Sequence, residues 1–167
     1  MELKRVVVTG LGAVTPVGNT PEETWKNLLE GKSGAAPITH FDTTLFKTKF
    51  ACEVKDLNLN DYIDRKEARK MDRYCQLAMV SAAQGIKDAG LDLEKEDLNR
   101  IGVVYGVGIG GIKTFQDEVV YYGQHEDQGP KFNPFFIPKM IADIASGQIS
   151  IQYGFHGPNY TTTSACA

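Results

Sequence analysis

One cysteine at the end of the chain has the surroundings of a nucleophile. Cys166 follows the β-branched run at residues 160–163 and lies among small residues, Ser-Ala-Cys-Ala at 164–167. A nucleophile at a turn from strand to helix follows the same logic as the G-x-S-x-G hydrolases. If a helix begins at Cys166, its N-terminal dipole would stabilise the thiolate, and the Cys166 N–H would face the oxygen of an attacked thioester. The alternative is a buried, inert thiol.

A second candidate site is the glycine-rich segment at residues 106–111, Gly-Val-Gly-Ile-Gly-Gly. It satisfies G-x-G-x-x-G after a strand pattern, so a nicotinamide-dependent oxidoreductase is one hypothesis. That fingerprint also needs an acidic residue at the end of the following strand. The candidates, Glu126 and Asp127, have no strand pattern before them. The alternative is that these glycines allow close backbone packing or line a substrate pocket.

Basic residues cluster between positions 65 and 73. Lys66, Arg69, Lys70 and Arg73 fall at neighbouring positions if this segment is helical, and an anionic partner would bind there. Acidic residues interleave with them, at Asp64, Glu67 and Asp72. On the residues alone, a solvated helix surface is therefore favoured over a binding site.

Composition excludes several classes of protein. The 18 Lys+Arg and 21 Asp+Glu give a net charge of −3, which argues against a nucleic-acid binder. No apolar run approaches the ~20 residues of a membrane span. The three cysteines lack C-x-x-C spacing, so neither a disulfide framework nor a zinc site is indicated, and a reducing cytoplasm fits best. A length of 167 residues predicts one domain.

Strand and helix patterns alternate along the chain and would position these residues. Strands are predicted at residues 2–9, 100–107 and 160–163, with a short one possible at 50–54. Thr20, Pro21 and Glu23 predict a capped helix start. Further helices are predicted from Met71 to Gly90, at 112–122 and around 141–149. The pattern predicts an α/β class with a largely parallel sheet that helices cover.

Several segments, in order along the chain, resemble β-ketoacyl-acyl-carrier-protein synthases, the elongating condensing enzymes of fatty acid synthesis, and the type II enzyme in particular. They are RVVVTGLGAVTPVG at 5–18, RKEARKMDR at 65–73, GIGG at 108–111, NPFFIP at 133–138 and SAC at 164–166. The resemblance spans the whole chain. Five motifs in register are specific, whereas any one alone would not be.

The resemblance implies a thiolase-like, layered α/β fold of two similar halves, usually a homodimer, of which this chain covers about the N-terminal half. It implies that Cys166 is the acyl-accepting nucleophile, while a His pair and a Lys that complete the condensation lie downstream of it. Residues 1–167 are accordingly expected to be an N-terminal β-ketoacyl synthase domain that stops one residue past the nucleophile and does not condense by itself. A non-condensing partner resembling a chain-length factor is the alternative within the fold, but such partners lack the nucleophile.

The resemblance also assigns partners and further site residues. Acyl carrier protein is expected to dock at Lys66, Arg69 and Lys70, and to carry the substrates on its phosphopantetheine, so that no other cofactor or metal is required. Ile109 and Phe136 are expected to line the acyl pocket, with Phe136 reaching across the dimer interface.

Overall fold

The computed structural model describes residues 3–164, and the chain divides into two compact units. The first unit contains residues up to 58 together with 80–90, and the second contains 59–79 together with the residues from 91 onward. The helices are α1 Pro21–Leu29, α2 Arg65–Ala68, α3 Arg73–Asp88, α4 Ile112–Gln124, α5 Phe136–Met140 and α6 Ile144–Tyr153. The strands are β1 Ala35–Pro37, β2 Phe50–Cys52, β3 Val103–Val107 and β4 Asn159–Thr163. Between residues 3 and 164, no helix is both long and apolar enough to cross a membrane.

Helix α1 begins where its sequence predicts. The Thr20 side chain accepts a hydrogen bond from the Glu23 N–H at 3.2 Å. The Glu23 carboxylate in turn accepts from the N–H of Asn19 at 2.7 Å, one residue before the cap. Such reciprocal bonds satisfy N–H groups that have no partner inside the helix. The predicted capping arrangement is therefore confirmed, with the Glu23 bond displaced by one residue.

The valine-rich segment near the N-terminus corrects the strand prediction at residues 2–9. Residues 3–14 form no strand, and Val6 and Val8 are 90% and 81% exposed. A strand requires a neighbour to pair with, and within residues 3–164 β1 pairs with β2 while β3 pairs with β4. The strand prediction for this segment is therefore wrong for the described residues, because an apolar, β-branched run forms a strand only where another strand pairs with it.

The backbone just after this segment packs on the later turns of α3. A side chain at Gly12 would place its Cβ only 1.9 Å from the Ser81 carbonyl oxygen, so only glycine permits this approach. The Leu11 N–H donates to the Asp88 carboxylate at 2.8 Å. A Cβ at Gly10 would likewise lie 2.3 Å from the Gly85 carbonyl oxygen, so both glycines allow close packing. The predicted long helix is confirmed as α3.

The second unit contains the parallel pair of strands. Strands β3 and β4 pair from Val103 with Asn159 to Val107 with Thr163. Helices α4, α5 and α6 lie between them in the chain, as a crossover between parallel strands requires. Ala145 and Ile149 of α6 are buried, and the Ser146 hydroxyl lies 3.0 Å from that of Thr161. The predicted α/β class and these two strands are confirmed.

Candidate functional site

The carboxyl ends of β3 and β4 meet at one edge of the parallel pair. The Ser164 N–H donates to the Val107 carbonyl at 3.2 Å, which extends the ladder one residue beyond β4. Ser164, two residues before Cys166, therefore lies beside the start of residues 108–111, here called the glycine loop. The carboxyl ends of parallel strands are the usual place for ligand sites in α/β folds. Cys166 itself lies outside the described residues, so its nucleophilic role and helix N-terminus stay predictions.

The glycine loop packs closely against the end of α5. The Gly111 N–H donates to the Met140 carbonyl at 3.0 Å. A Cβ at Gly111 would lie 2.1 Å from the Lys139 carbonyl oxygen, closer than any real contact. Close backbone packing, the alternative interpretation of the motif, thus accounts for this glycine.

A buried carboxylate occupies the N-terminus of α4. The helix begins at Ile112, and the capping position before it is Gly111, which has no side chain to cap the helix. Instead Oδ2 of Asp72 accepts hydrogen bonds from the Thr114 N–H at 3.1 Å and from the Thr114 hydroxyl at 2.6 Å. In a dinucleotide-binding protein the pyrophosphate would take such donors. Here one of these donors, the Thr114 N–H, is already bound to the Asp72 carboxylate.

Neither candidate for the acidic residue of a dinucleotide site lies at the end of a strand, where such a site requires it. Glu126 and Asp127 lie in a short 3₁₀ turn after α4, not at the end of a strand. Together with the Asp72 contact, this argues against the nicotinamide hypothesis for residues 106–111. Within residues 3–164, no three His, Cys, Asp or Glu side chains gather as metal ligands would.

Asp72 corrects the interpretation of the basic cluster as one solvated helix. Its side chain is buried, with 7% of the residue exposed, and Oδ1 accepts from the Tyr74 N–H at 3.2 Å. An aspartate just before a helix is a recognisable capping signal. The capping signal does not predict that Asp72 also binds Thr114, which lies 42 positions further along the chain. The sequence therefore identified neither residue as part of the site.

The predicted docking residues do not share one helix. Helix α2 ends at Ala68 and α3 begins at Arg73, so the assumed helical spacing is wrong. The break arises because Asp72 caps a new helix start. Lys66 and Arg69 are exposed, whereas Lys70 is half-buried, 2.6 Å from the Glu67 carboxylate. The Lys70 ammonium also lies 6.0 Å from the centre of the Phe135 ring.

The predicted pocket residues lie on two segments that contact each other. Ile109 belongs to the glycine loop and is 65% exposed. Phe136 is the first residue of α5 and stacks with Phe115 and Phe132, at centroid distances of 6.3 and 5.5 Å. The glycine loop, which contains Ile109, therefore packs against α5, which contains Phe136. Whether they line an acyl pocket stays a prediction.

Two other cysteines differ sharply in environment. Cys75 in α3 is fully buried, and burial raises the pKa of its thiol to about 12. Burial disfavours the charged thiolate, so this thiol is not a nucleophile near neutral pH. Cys52 at the end of β2 is exposed.

The comparisons with known proteins agree with this arrangement. The family profile described as "Beta-ketoacyl synthase, N-terminal domain" matches residues 3–167. The chain therefore belongs to the β-ketoacyl synthase family, and the match covers the N-terminal domain of that family.

Individual relatives show how much of such a protein this chain represents. It is 47% identical over 165 residues to "3-oxoacyl-[acyl-carrier-protein] synthase 2" of Staphylococcus aureus strain COL, covering 98% of this chain and 39% of the relative. The chain thus spans about two fifths of the length of that relative.

Solved structures support the predicted fold. The ishigamide ketosynthase/chain length factor aligns with a TM-score of 0.83 at 30% identity, covering 96% of this chain and 40% of that chain. A type II polyketide ketosynthase solved with its acyl carrier protein, AntDE:AntF, aligns with a TM-score of 0.77 at 26% identity, covering 98% of this chain and 42% of that one. These alignments confirm that the chain has the N-terminal part of the ketosynthase fold.

Proposed function

We propose that the native protein carrying this chain is a condensing acyltransferase of fatty acid elongation, which makes 3-oxoacyl groups on acyl carrier protein. The Ser164–Val107 hydrogen bond is the observation that carries the proposal, since it holds Ser164, two residues before Cys166, at the edge where the glycine loop begins. The name of the Staphylococcus aureus relative supports this choice of reaction.

The proposed reaction has two stages. The Cys166 thiolate attacks the thioester carbon of an acyl carrier protein, the bond from that carbon to the phosphopantetheine sulfur breaks, and the released thiolate takes a proton. Malonyl carrier protein then loses CO₂, and the resulting carbanion attacks the acyl-Cys166 thioester. This frees Cys166 and yields the 3-oxoacyl product. A His pair and a Lys downstream of Cys166 are proposed to assist this second stage.

The carrier protein is proposed to dock where Lys66 and Arg69 expose their charges. Acyl carrier proteins are acidic, and complementary charges speed the encounter of two proteins. The solved AntDE:AntF complex supports this class of partner, because its description pairs a ketosynthase with an acyl carrier protein. Phosphopantetheine would carry the substrates, and no other cofactor is proposed.

A homodimer in the cytoplasm is the proposed state of the protein. Helix α4 exposes Ile112, Phe115, Val119 and Val120, apolar side chains of the kind that subunit interfaces cover. Phe136, beside Phe115, would then reach the acyl pocket of the partner subunit.

Incubation of the native protein with an acyl carrier protein thioester tests the proposal. We expect a mass increase that corresponds to one acyl group, and peptide mapping should assign it to the peptide that contains Cys166. A titration with nicotinamide cofactors run in parallel should show no binding. Acylation of another peptide, or cofactor binding without acylation, would contradict the proposed function.

Replacing Ile109 with phenylalanine is expected to shorten the acyl chains that the protein accepts. The side chain is exposed on the glycine loop, where added bulk would meet an extending acyl chain. Once a long acyl chain fills the space beside residue 109, the extra ring would overpack it, which typically costs ~1 to 3 kcal/mol. Rates of acylation with short and long acyl thioesters measure the effect. An unchanged chain-length profile in Ile109→Phe would show that Ile109 does not limit the pocket.

A further inference from the structure

We propose that the buried contact between Asp72 and Thr114 positions the glycine loop and so determines which acyl chain lengths the protein accepts. The inference rests on the proposed function, because it concerns the pocket to which Ile109 is assigned. Both residues are positioning residues, since they act through the loop and not on the acyl group itself.

Residues at the start of α3 contact both sides of the packing between the glycine loop and α5. On one side, Asp72 binds the N–H and the hydroxyl of Thr114 in the first turn of α4, directly after the loop. On the other side, the Tyr74 hydroxyl donates to the Ile141 carbonyl, just past α5, at 2.5 Å. Asp72, the residue just before α3, and Tyr74 in its first turn therefore contact the two segments that carry Ile109 and Phe136.

The Asp72 carboxylate accepts hydrogen bonds from neutral donors. Among the described residues 3–164 these are the Tyr74 N–H and the N–H and hydroxyl of Thr114. A buried carboxylate that loses such a donor must find another partner or move toward water. Removing the Thr114 hydroxyl would therefore disturb the first turn of α4, and with it the loop that ends at Gly111.

A small displacement of the first turn of α4 would also move Ile109, the residue assigned to the acyl pocket. Ile109 lies only two residues before Gly111, where α4 is anchored against the Met140 carbonyl. A shift of about 1 Å in a positioning element can change reaction rates by large factors. The effect should depend on chain length, because a long acyl group extends further along the loop than a short one.

Thr114→Val tests the inference, with Thr114→Ser as its matched control. Valine keeps the shape of threonine without the hydroxyl, whereas serine keeps the hydroxyl. In the native protein, we expect Thr114→Val to change the ratio of kcat/KM for long against short acyl thioesters by about fivefold or more, because the buried carboxylate loses one of its donors and the loop before α4 is displaced. Thr114→Ser should stay within about twofold of the wild type.

Tyr74→Phe provides a second variant that does not depend on how Thr114→Val folds. It removes only the hydroxyl that binds the Ile141 carbonyl, and it should also change the chain-length ratio. Hydrogen exchange at residues 106–115 should become faster in Thr114→Val and not in Thr114→Ser.

The possible failures are distinguishable. Equal losses for all chain lengths, or an unchanged ratio in both Thr114→Val and Tyr74→Phe, would overturn the positioning role while the wild type still accepts acyl groups. Absence of acylation in the wild type would instead overturn the proposed function, and this inference with it.

Discussion

Replacement of Cys166 with alanine should abolish acyl transfer in the native protein. In the proposed mechanism every acyl group is bound to the Cys166 sulfur as a thioester. The methyl group of alanine has no sulfur and cannot form this bond. Loss of a nucleophile that forms a covalent intermediate typically costs at least about a thousandfold in rate. The measurement is the acyl-enzyme mass after incubation with an acyl carrier protein thioester, together with thermal unfolding to show that the variant folds.

The other cysteines serve as internal controls for this result. Cys75 is fully buried with a thiol pKa of about 12, so it should resist alkylation near neutral pH in the folded protein. Cys52 is exposed, which makes Cys52→Ser the matched control variant. Brief iodoacetamide treatment of Cys52→Ser should label Cys166 and leave Cys75 unmodified until the protein is unfolded. Acyl transfer that persists in Cys166→Ala would remove the basis of the proposed mechanism.

Reversal of charge at Lys66, Arg69 and Lys70 should raise the KM for acyl carrier protein by about tenfold or more at low salt. Exposed charges mainly set the rate of encounter with an oppositely charged partner, and salt weakens their effect. A small pantetheine thioester lacks the acidic protein surface, so its KM should not change. Steady-state kinetics with both substrates at two salt concentrations measure this difference.

The three positions are not equivalent in the structure. Lys70 pairs with Glu67 and lies over the Phe135 ring, so its reversal would also disturb local packing. The double variant Lys66→Glu/Arg69→Glu therefore isolates docking from packing. A matched control reverses the exposed residues Lys26, Lys47 and Lys95, which gives the same change in net charge as the triple variant elsewhere on the surface. Equal losses with carrier protein and pantetheine thioester, or an equal effect of the control, would contradict the docking prediction.

Features that depend on neighbours along the chain could be predicted from the sequence. The start of α1 follows from Thr20 and Glu23, whose side chains bind backbone groups within four residues. Helix α3 follows from a repeated spacing of apolar residues, one of which is the buried Cys75. The ordered motifs also predicted the family, which residues 3–167 then matched. These signals are short-range, or are fixed patterns of residue types, and need no knowledge of the fold.

Features that depend on distant partners were decided by the tertiary structure. The valines at 6–8 have a strand pattern, yet a strand forms only where another strand supplies its hydrogen bonds, and the described residues supply none there. Asp72 stands among basic residues as a surface charge would, yet it is buried because Thr114 provides donors for it. The sequence by itself thus determined the family, the local helix signals and the candidate nucleophile. Only the tertiary structure decided which strands pair and which carboxylate binds the first turn of α4, because both are set by contacts between residues far apart in the chain.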